Sequence, residues 1–410
     1  MSGWRKVRLN ELGTVERGRS RHRPRNDPKL YGGPYPFVQT GDVKAAGLRL
    51  TECDQNYSAD GLAQSRLWPV GTLCITIAAN IGDTTILGLP ACFPDSIVGF
   101  TPYPGVSDVV FVKYMLDLVK QHFTSISSGA TQDNLSIEKL LSQDLWAPAI
   151  DEQCRIASIL GAYDDLIEVN RRRVAVLEAM ARGLFEEWFV RFRFPGHEHY
   201  KVIETPDGPL PEGWNWQDFG SFASDVREPV SPSAVSPETR YVGLEHIPRR
   251  STTLDSYGRA DEVGSLKLRF YRGDVLFGKI RPYFHKVAWA PYEGVSSSDA
   301  IVFRAKRENY QALTLLVASS DEFIAKAVQT SNGTKMPRAN PSVLRGYKVA
   351  SGGEAFASRF NDVAMPSIEL AALLQTASET LAAARDLLLP RLISGDLSIA
   401  VAERELEAAA

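Results

Sequence analysis

Five arginines occupy every second position between residues 17 and 25, and no acidic residue lies between them. The five are Arg17, Arg19, Arg21, Arg23 and Arg25. In an extended segment this spacing would place all five side chains on one side, whereas the intervening Gly18 and Pro24 favour a loop. Guanidinium groups bind phosphate oxygens and the edges of guanine bases. The segment is therefore interpreted either as a contact loop for nucleic acid or as a solvated flexible loop.

Three further polar segments contain side chains of the same chemical types. The candidates in them are Thr131, Gln132 and Asn134 in the first half of the chain and Lys279, Arg281, Tyr283, Lys335, Arg338 and Asn340 in the second half. Arginine, asparagine and glutamine match the hydrogen-bonding edges of bases in the major groove, and lysine attracts phosphates without specifying a sequence. Each residue taken alone is interpreted as a surface group. As a set in corresponding loops they predict contact with DNA.

The sequence lacks the common motifs of catalysis, nucleotide binding and metal binding. It has no Gly-x-Gly-x-x-Gly, P-loop, His-Glu-x-x-His or Gly-x-Ser-x-Gly pattern. The segment that begins at Asn340 lacks the second proline and the aromatic residue of a methyltransferase signature. Pro94-Asp95 is not followed by the Glu-x-Lys triplet of a nuclease in the same domain, and His197 and His199 are interpreted as part of a solvated linker. We therefore expect no catalytic residue, metal ion or cofactor in the chain itself.

Two long helices are predicted from the spacing of apolar residues. From Asp151 to about Trp188, and again near the C-terminus, these residues recur in steps of four and three, which is the period of a coiled-coil seam. The first seam comprises Ile156, Leu160, Tyr163, Ile167, Asn170, Val174, Leu177, Ala181, Leu184 and Trp188. The second comprises Leu370, Leu374, Ala377, Leu381, Ala384 and Leu388. Asn170 is interpreted either as a polar register device inside the seam or as a residue that faces solvent.

The second half of the chain repeats the first in five short segments that occur in the same order. The matched segments begin at Gly3 and Gly213, Phe37 and Tyr241, Pro69 and Tyr271, Asp95 and Asp299, and Ser128 and Asn332. Such ordered self-similarity indicates the duplication of one structural unit. Because each copy contains short β-like runs followed by helical runs, the predicted fold class is α+β.

The predicted architecture has two similar α+β domains separated by two long antiparallel coiled-coil helices, with an internal pseudo-two-fold repeat. We expect the first domain at residues 1–150 and the central spacer helix at 151–195. A linker and the second domain should occupy residues 196–350, and the C-terminal spacer helix and tail residues 351–410. A chain of 410 residues is long enough to form two such cores.

Composition narrows the class of protein. The formal net charge is −3, so any attraction to nucleic acid must come from local clusters of positive charge. No apolar run approaches the length of a membrane span, and the first residues do not form an apolar signal region. Cys53, Cys74, Cys92 and Cys154 lack the spacing of metal or redox sites. We therefore expect reduced, mostly buried cysteines in a cytoplasmic protein.

Several motifs resemble those of specificity subunits of type I restriction–modification systems. The most specific are Asp151-Glu-Gln-Cys-Arg-Ile-Ala-Ser-Ile-Leu-Gly161, Leu184-Phe-Glu-Glu-Trp-Phe189 and Arg385-Asp-Leu-Leu-Leu-Pro-Arg-Leu-Ile-Ser-Gly-Asp-Leu397. Segments similar to those of the family's recognition domains are Thr40-Gly-Asp42, Lys279-Ile-Arg-Pro-Tyr283 and Gly129-Ala-Thr-Gln-Asp-Asn134. The resemblance covers almost the whole chain. It departs from the family at residues 351–360, which lack the Glu-Gln-x-Arg-Ile sequence found at 152–156.

The resemblance implies a non-catalytic subunit that recognises a two-part, asymmetric site on double-stranded DNA, one half with each domain. It further implies two modification subunits on the helices, which supply the S-adenosylmethionine chemistry, and restriction subunits that join them. Phe185, Trp188 and Phe189 would then contact a modification subunit, or else pack against the neighbouring recognition domain. Two other hypotheses are a self-contained DNA methyltransferase or nuclease, and a structural coiled-coil adaptor that does not bind DNA.

Overall fold

The structure, a computed structural model, describes residues 3–127, 135–333, 335–402 and 404. It divides into two compact units, one formed by Met1–Glu168 with Thr380–Ala410 and the other by Val169–Glu379. Both units combine helices with strands, as expected for the α+β class. In the described part of the chain, no helix combines the length and the apolar character needed to span a membrane.

Each of two long helices contributes residues to both units. The central helix is Ile150–Phe185, and a π-helical turn, Glu186–Val190, continues it. Two acidic residues in its first turn suit the positive end of the helix dipole. The C-terminal helix is Glu354–Ile393, so it begins well before Pro366 and contains that proline.

The first unit is built on a five-stranded sheet. In sheet order its strands are Gly13–Arg17, Ile97–Pro102, Leu73–Thr76, Thr84–Leu87 and Arg49–Leu50. Two further strand pairs are Arg5–Val7 with Leu145–Ala147 and Tyr31–Phe37 with Gln55–Tyr57. The shorter helices are Leu9–Leu12, Pro28–Leu30, Thr40–Ala45, Ala59–Ala63, Val109–Ser127 and Ile137–Leu141. The middle strand of the sheet is buried at every position, which explains why its sequence lacks polar alternation.

The second unit contains two sheets. The four-stranded sheet has the order Ala223–Val226, Ala300–Ala305, Val275–Gly278 and Val287–Trp289. The five-stranded sheet has the order Pro229–Val230, Lys267–Phe270, Gly294–Ser296, Arg240–Val242 and Gly258–Arg259. Two strand pairs are Val202–Thr205 with Gly208–Pro211 and Asn215–Asp218 with Lys348–Ser351. The shorter helices are His197–His199, Phe219–Phe222, Pro232–Ala234, Leu244–His246, Ala260–Glu262, Pro282–Phe284, Glu308–Tyr310, Gln311–Ala318, Asp321–Gln329 and Pro341–Arg345.

The same strand arrangement occurs in both units. In each, a central strand pairs with a hairpin partner on one side and with a longer strand on the other. The matched central strands are Leu73–Thr76 and Val275–Gly278. Just beyond them, Leu135 donates its backbone N–H to the carbonyl oxygen of Ile77 at 2.8 Å, and an equivalent bond of 2.9 Å joins Ala339 to Lys279. The internal duplication predicted from the sequence is therefore confirmed in the topology.

Within the second unit the two long helices run antiparallel. Trp188, near the end of the central helix, lies with its ring centroid 5.3 Å from that of Phe356 and 5.6 Å from that of Phe360, near the start of the C-terminal helix. Leu177, earlier on the central helix, lines one groove with Leu374, which is later on the C-terminal helix. Residues at the end of the central helix therefore lie beside residues at the start of the C-terminal helix, as expected for two antiparallel helices.

The buried face of the central helix follows the predicted seam with one change. Ile156, Leu160, Asn170, Val174, Ala181 and Trp188 are buried, and Ile167, Leu177 and Leu184 are half-buried. Tyr163 is also only half-buried, and the adjacent Asp164 is buried in its place. Asn170 is 4% exposed, so it lies inside the seam and does not face solvent.

The seam of the C-terminal helix lies one residue later than the sequence predicts. Leu370 is 44% exposed. Half-buried positions are Leu374, Ala377, Leu381, Ala384 and Leu388, whereas Ile368, Ala371, Ser378, Leu389 and Leu392 are buried. Small side chains such as Ala371 and Ser378 allow close packing, and the leucines lie on the flank. The prediction was wrong because it favoured large leucines over small residues at the adjacent positions.

The aromatic residues Phe185, Trp188 and Phe189 lie in the core of the second unit, with exposures of 7%, 5% and 5%. Phe189 packs with its ring centroid 6.0 Å from that of Trp214 and 5.6 Å from that of Phe356. Of the two roles that the sequence suggested, packing against the neighbouring domain agrees with this arrangement. Little of the surface of these three rings is accessible from outside the second unit.

A buried cluster of three polar side chains connects three helices in the first unit. Asp164 of the central helix, only 8% exposed, accepts a hydrogen bond from the hydroxyl of Tyr114 and pairs with the guanidinium of Arg385 from the C-terminal helix. Burial, and then the charge of Asp164, raises the pKa of Tyr114 well above its usual value, so this hydroxyl remains a donor. Burial lowers the pKa of Arg385, but Asp164 and Asp386 outweigh it and leave that pKa raised.

Candidate nucleic-acid interface

All five arginines of the segment 17–25 are exposed, but three of them hold the segment in place. Arg17 donates from Nε to the carbonyl oxygen of Asp95 at 2.5 Å, and Arg25 donates from Nη2 to both carboxylate oxygens of Asp95 at 2.8 and 3.0 Å. Arg23 donates to the carbonyl oxygens of Ser20 and His22 at 2.7 and 2.9 Å. These three side chains have a structural role in addition to any contact with DNA.

Arg19 and Arg21 extend from the same segment, and neither side chain forms a hydrogen bond or ion pair with the residues that the structure describes. The backbone around them is nevertheless fixed. The N–H groups of Arg21 and His22 both donate to Oε1 of Gln64, at 2.6 and 3.0 Å. His22 also bonds to Asp27 at 2.8 Å. The segment is therefore an ordered loop that presents two available guanidinium groups, rather than a flexible one.

The polar loop of the first domain lies outside the described residues, and with it Thr131, Gln132 and Asn134. Its end is defined by the bond from Leu135 to Ile77. In the second domain the equivalent bond from Ala339 brings its polar loop to the end of the strand Val275–Gly278.

In the second domain the polar loop crosses the segment Lys279–His285, which we term the basic segment. The backbone N–H of Arg281 donates to the carbonyl oxygen of Pro337 at 2.8 Å, and Ile280 forms a β-bridge with Arg338. The structure thus brings Lys279, Arg281 and Arg338 together from positions far apart in the sequence.

Tyr283 lies on the same turn of the basic segment and is 52% exposed. Lys335 is exposed and forms no ion pair with any residue in the described ranges. Arg338 lies with Nη2 3.8 Å from Oδ1 of Asp299, the counterpart of Asp95 in the first domain. In both domains, therefore, an aspartate before the long strand of the sheet steadies an arginine of the candidate surface.

Asn340 has a structural role in addition to the DNA contact that its type predicts. Its side-chain oxygen accepts a hydrogen bond from the backbone N–H of Ser342 at 3.0 Å and so caps the helix Pro341–Arg345. Reading adenine requires both the oxygen and the amino group of an asparagine. An amide oxygen has two lone pairs, so Asn340 can cap this helix and still offer its oxygen and its amino group to a base.

Arg249 belongs to the candidate surface, and the sequence analysis missed it. Its guanidinium carbon lies 4.1 Å from the ring centroid of Phe284, and that of Arg281 lies 6.0 Å from the same centroid. The ring of Tyr283 is 4.8 Å from Phe284. The neighbouring Arg249 and Arg250 were a usable signal, because two adjacent arginines after a proline indicate an exposed basic loop. The arrangement provides cations for phosphate and base edges around an aromatic centre.

Burial, and then the charge of Arg249, lowers the pKa of the Lys286 ammonium group. That side chain donates to the carbonyl oxygen of Leu244, so it has a structural role beneath the candidate surface.

Among the described residues, no group of His, Cys, Asp and Glu side chains is arranged to hold a metal ion. The four cysteines are unpaired, Cys74 and Cys92 are buried, and burial raises the pKa of Cys92 to about 11.

Comparison with known proteins agrees with these features. Residues 1–179 match the family model described as the type I restriction modification DNA specificity domain. The chain is 23% identical to the type I restriction enzyme MjaIX specificity subunit of Methanocaldococcus jannaschii, over 97% of this chain and 94% of that protein. It is also 23% identical to the EcoDI specificity subunit of Escherichia coli, over 83% of this chain and 76% of that protein.

Among solved structures, the S subunit of a type I restriction–modification system from M. genitalium has a similar fold. The TM-score is 0.60 at 11% sequence identity, and the match covers 95% of this chain and 96% of that one. The family resemblance suggested by the sequence motifs is confirmed: residues 1–179 match the type I restriction modification DNA specificity domain, and over nearly its whole length the chain is similar to a specificity subunit of a type I restriction enzyme.

Proposed function

We propose that this chain is the DNA sequence-specificity subunit of a type I restriction–modification assembly. It recognises a two-part, asymmetric site on double-stranded DNA and performs no catalysis. The first recognition domain corresponds to residues 1–150 and the second to residues 196–350, with spacer helices at 151–195 and 351–410. The assembly acts in the cytoplasm, where its DNA target lies.

One observation carries this proposal: a duplicated domain with basic side chains near equivalent edges of its two copies. In the first domain Arg19 and Arg21 are available there, and in the second Arg249, Arg281 and Arg338 converge. Two similar domains in one chain are suited to two different half-sites, because each can diverge in its base contacts while keeping its fold.

The proposed partners are two modification subunits, which supply the S-adenosylmethionine chemistry, and restriction subunits. A groove on the long helices supports the placement of a modification subunit. It has a volume of about 460 Å³ and is lined by Val169, Arg172, Arg173, Val176, Leu177, Leu370 and Leu374. Val176 is 58% and Leu370 is 44% exposed. Contiguous exposed apolar residues are typical of protein contact sites.

The proposal is tested by footprinting the full chain on its site, found by methylation mapping, with and without modification subunits. Protection of two short segments separated by an unprotected spacer would support it. Adenine methylation by the isolated chain with S-adenosylmethionine would establish a self-contained methyltransferase instead. Absence of DNA affinity at every salt concentration, even with modification subunits present, would favour a structural adaptor.

Replacing Arg19 and Arg21 together by alanine should weaken binding through the first half-site only. Each lost phosphate contact should reduce the slope of log affinity against log salt by about 0.9. The slope measured for the double variant should therefore be smaller by up to roughly two. Titrations of labelled DNA at several salt concentrations measure this slope. The matched control is the double alanine variant of Arg5 and Arg8, which removes the same charge from exposed positions outside the loop. Equal slopes for both variants would contradict our placement of this surface.

Replacing Val176 and Leu370 by glutamate should prevent stable association with a modification subunit. Their apolar side chains should contribute about 1.5–3 kcal/mol each when buried by a partner, and a charge there adds a desolvation cost. Affinity should fall more than a hundredfold, while the unfolding of the isolated chain should change little because both positions are exposed. Co-purification measures the first effect. The control is Leu266→Glu, at a residue that is 63% exposed and lies outside the long helices. If the Val176 and Leu370 variant still co-purified with the modification subunit as the wild type does, the proposed docking site would be wrong.

A further inference from the structure

The loop Arg249–Thr253 is held by a carboxylate of the central helix. Oε1 of Glu178 accepts hydrogen bonds from the backbone N–H groups of Thr252 and Thr253, at 2.8 and 2.9 Å. The hydroxyl groups of Ser251 and Thr252 donate to the same oxygen, at 2.7 and 3.2 Å. One charged acceptor thus binds three consecutive residues, and hydrogen bonds to a charged acceptor are stronger than neutral ones.

Further side chains of the two long helices bind the same part of the second domain. Arg182, one turn after Glu178, donates from Nη2 to the carbonyl oxygen of Arg250 at 3.4 Å. Residues four apart share one helix face, so the central helix presents an acceptor and a donor to one loop. Gln375 of the C-terminal helix donates to the carbonyl oxygen of Asp255 at 3.4 Å. The central helix therefore holds the loop itself, and the C-terminal helix holds the chain just after it.

The loop in turn contacts the basic segment. The backbone N–H of Arg250 donates to the carbonyl oxygen of His285 at 2.9 Å, and the ring of His285 bonds to the carbonyl oxygen of Ser319 at 2.7 Å. The guanidinium of Arg249 lies against Phe284. A continuous set of contacts therefore runs from the central helix, through the loop, to the candidate DNA surface.

The backbone of these segments is also constrained. Arg250, Arg281 and His285 have positive φ angles of 58°, 50° and 52°. Residues other than glycine keep this left-handed conformation only where the surrounding contacts determine it. The bonds that hold the loop are therefore needed to keep the arginines in their observed directions.

We propose that Glu178 is a positioning residue for recognition of the second half-site. Its carboxylate fixes the loop Arg249–Thr253, and thereby the placement of Arg249 and Arg281 against the bases. The inference rests on the proposed function of DNA recognition. Glu178 acts through the loop, because an anionic side chain in contact with phosphate would be repelled.

The charge of Glu178 provides a rival explanation that makes an opposite prediction. If the carboxylate acted only as a negative charge near DNA, its removal would strengthen binding to every sequence and change the salt dependence. A positioning role predicts weaker discrimination at the second half-site, unchanged discrimination at the first, and an unchanged salt slope.

The test uses the full chain with its modification subunits and three DNA duplexes: one with the mapped site, one with the first half-site scrambled and one with the second scrambled. For Glu178→Ala, the affinity ratio between the matched duplex and the one with the second half-site scrambled should fall roughly tenfold, the discrimination of about one good base contact. Glu178→Gln keeps an oxygen at the same reach and should restore most of the ratio. Glu178→Asp keeps the charge but is one methylene shorter and should not restore it.

Hydrogen exchange at the amides of Thr252 and Thr253 provides a second measurement, in the wild-type chain and in the glutamine variant. Exchange should be slow in both. Glu186→Ala is the matched control, because that carboxylate pairs with Arg191 and is not bonded to the loop; it should leave every ratio unaltered.

A wild-type chain that discriminates both half-sites, with an alanine variant that does so equally well, would overturn the positioning role alone. Better rescue by aspartate than by glutamine would also overturn it, in favour of charge. A wild-type chain that discriminates neither half-site would overturn the proposed function and this inference with it.

Discussion

Replacing Trp188 by alanine should destabilise the second unit by about 3–5 kcal/mol, the usual cost of removing a buried large aromatic side chain. The ring is 5% exposed and packs against Phe356 and Phe360. Its loss leaves a cavity where the central helix, the C-terminal helix and the second domain meet in one core. Denaturant unfolding followed by circular dichroism would measure the effect.

Trp146→Ala is the control for this variant. Trp146 is 52% exposed on the strand Leu145–Ala147, so its removal should change the free energy of unfolding by less than about 1 kcal/mol. If Trp188→Ala kept its stability but lost a modification subunit, the aromatic residues would belong to a partner interface after all.

Replacing Asp164 by alanine should destabilise the first unit by about 3–5 kcal/mol, because it leaves the guanidinium of Arg385 without its buried partner. The side chain of Arg385 is 23% exposed, and Asp386 remains beside it at 2.7 Å, which places the expected effect toward the lower end. The hydroxyl of Tyr114 would also lose its acceptor. Equilibrium unfolding of the variant at neutral pH provides the measurement.

Asp165→Ala tests whether burial is responsible. The neighbouring Asp165 forms a 2.6 Å ion pair with Arg49, but both side chains are well exposed, so the loss should be about 1 kcal/mol or less. Similar losses of stability for the two substitutions would show that the buried cluster of Asp164, Tyr114 and Arg385 contributes no more than an exposed ion pair. Replacing Asp164 and Arg385 together by apolar residues of similar size should recover much of the lost stability.

The domain plan was accessible from the sequence because it depends on repeated local patterns. Five matched segments indicate the duplication, and four strands of the sheet in the first unit have the same order as the four-stranded sheet of the second. The central helix follows its predicted seam because large apolar residues alternate there with charged ones. These features depend on the periodicity of side chains along the chain, which the sequence contains in full.

The candidate site was only partly accessible. The sequence contains five arginines at equal spacing, but the choice of Arg19 and Arg21 depends on Asp95, which binds Arg17 and Arg25 from a turn far along the chain. Arg249 joins the surface only because its loop packs against Phe284. Contacts between residues so far apart follow from the folded arrangement of strands and not from local spacing.

The sequence by itself determined the class of fold, the duplicated domains, the two long helices and the chemical types of the candidate DNA contacts. The tertiary structure alone decided which helix face is buried. The C-terminal helix has leucines on several adjacent faces, and the close approach of its neighbour selects small residues such as Ala371 and Ser378 for the seam. It also decided that Trp188 is a core residue and that Asp164 is a buried link between helices. The physical reason is that burial and charge pairing depend on distances in space, and sequence periodicity limits these distances without specifying them.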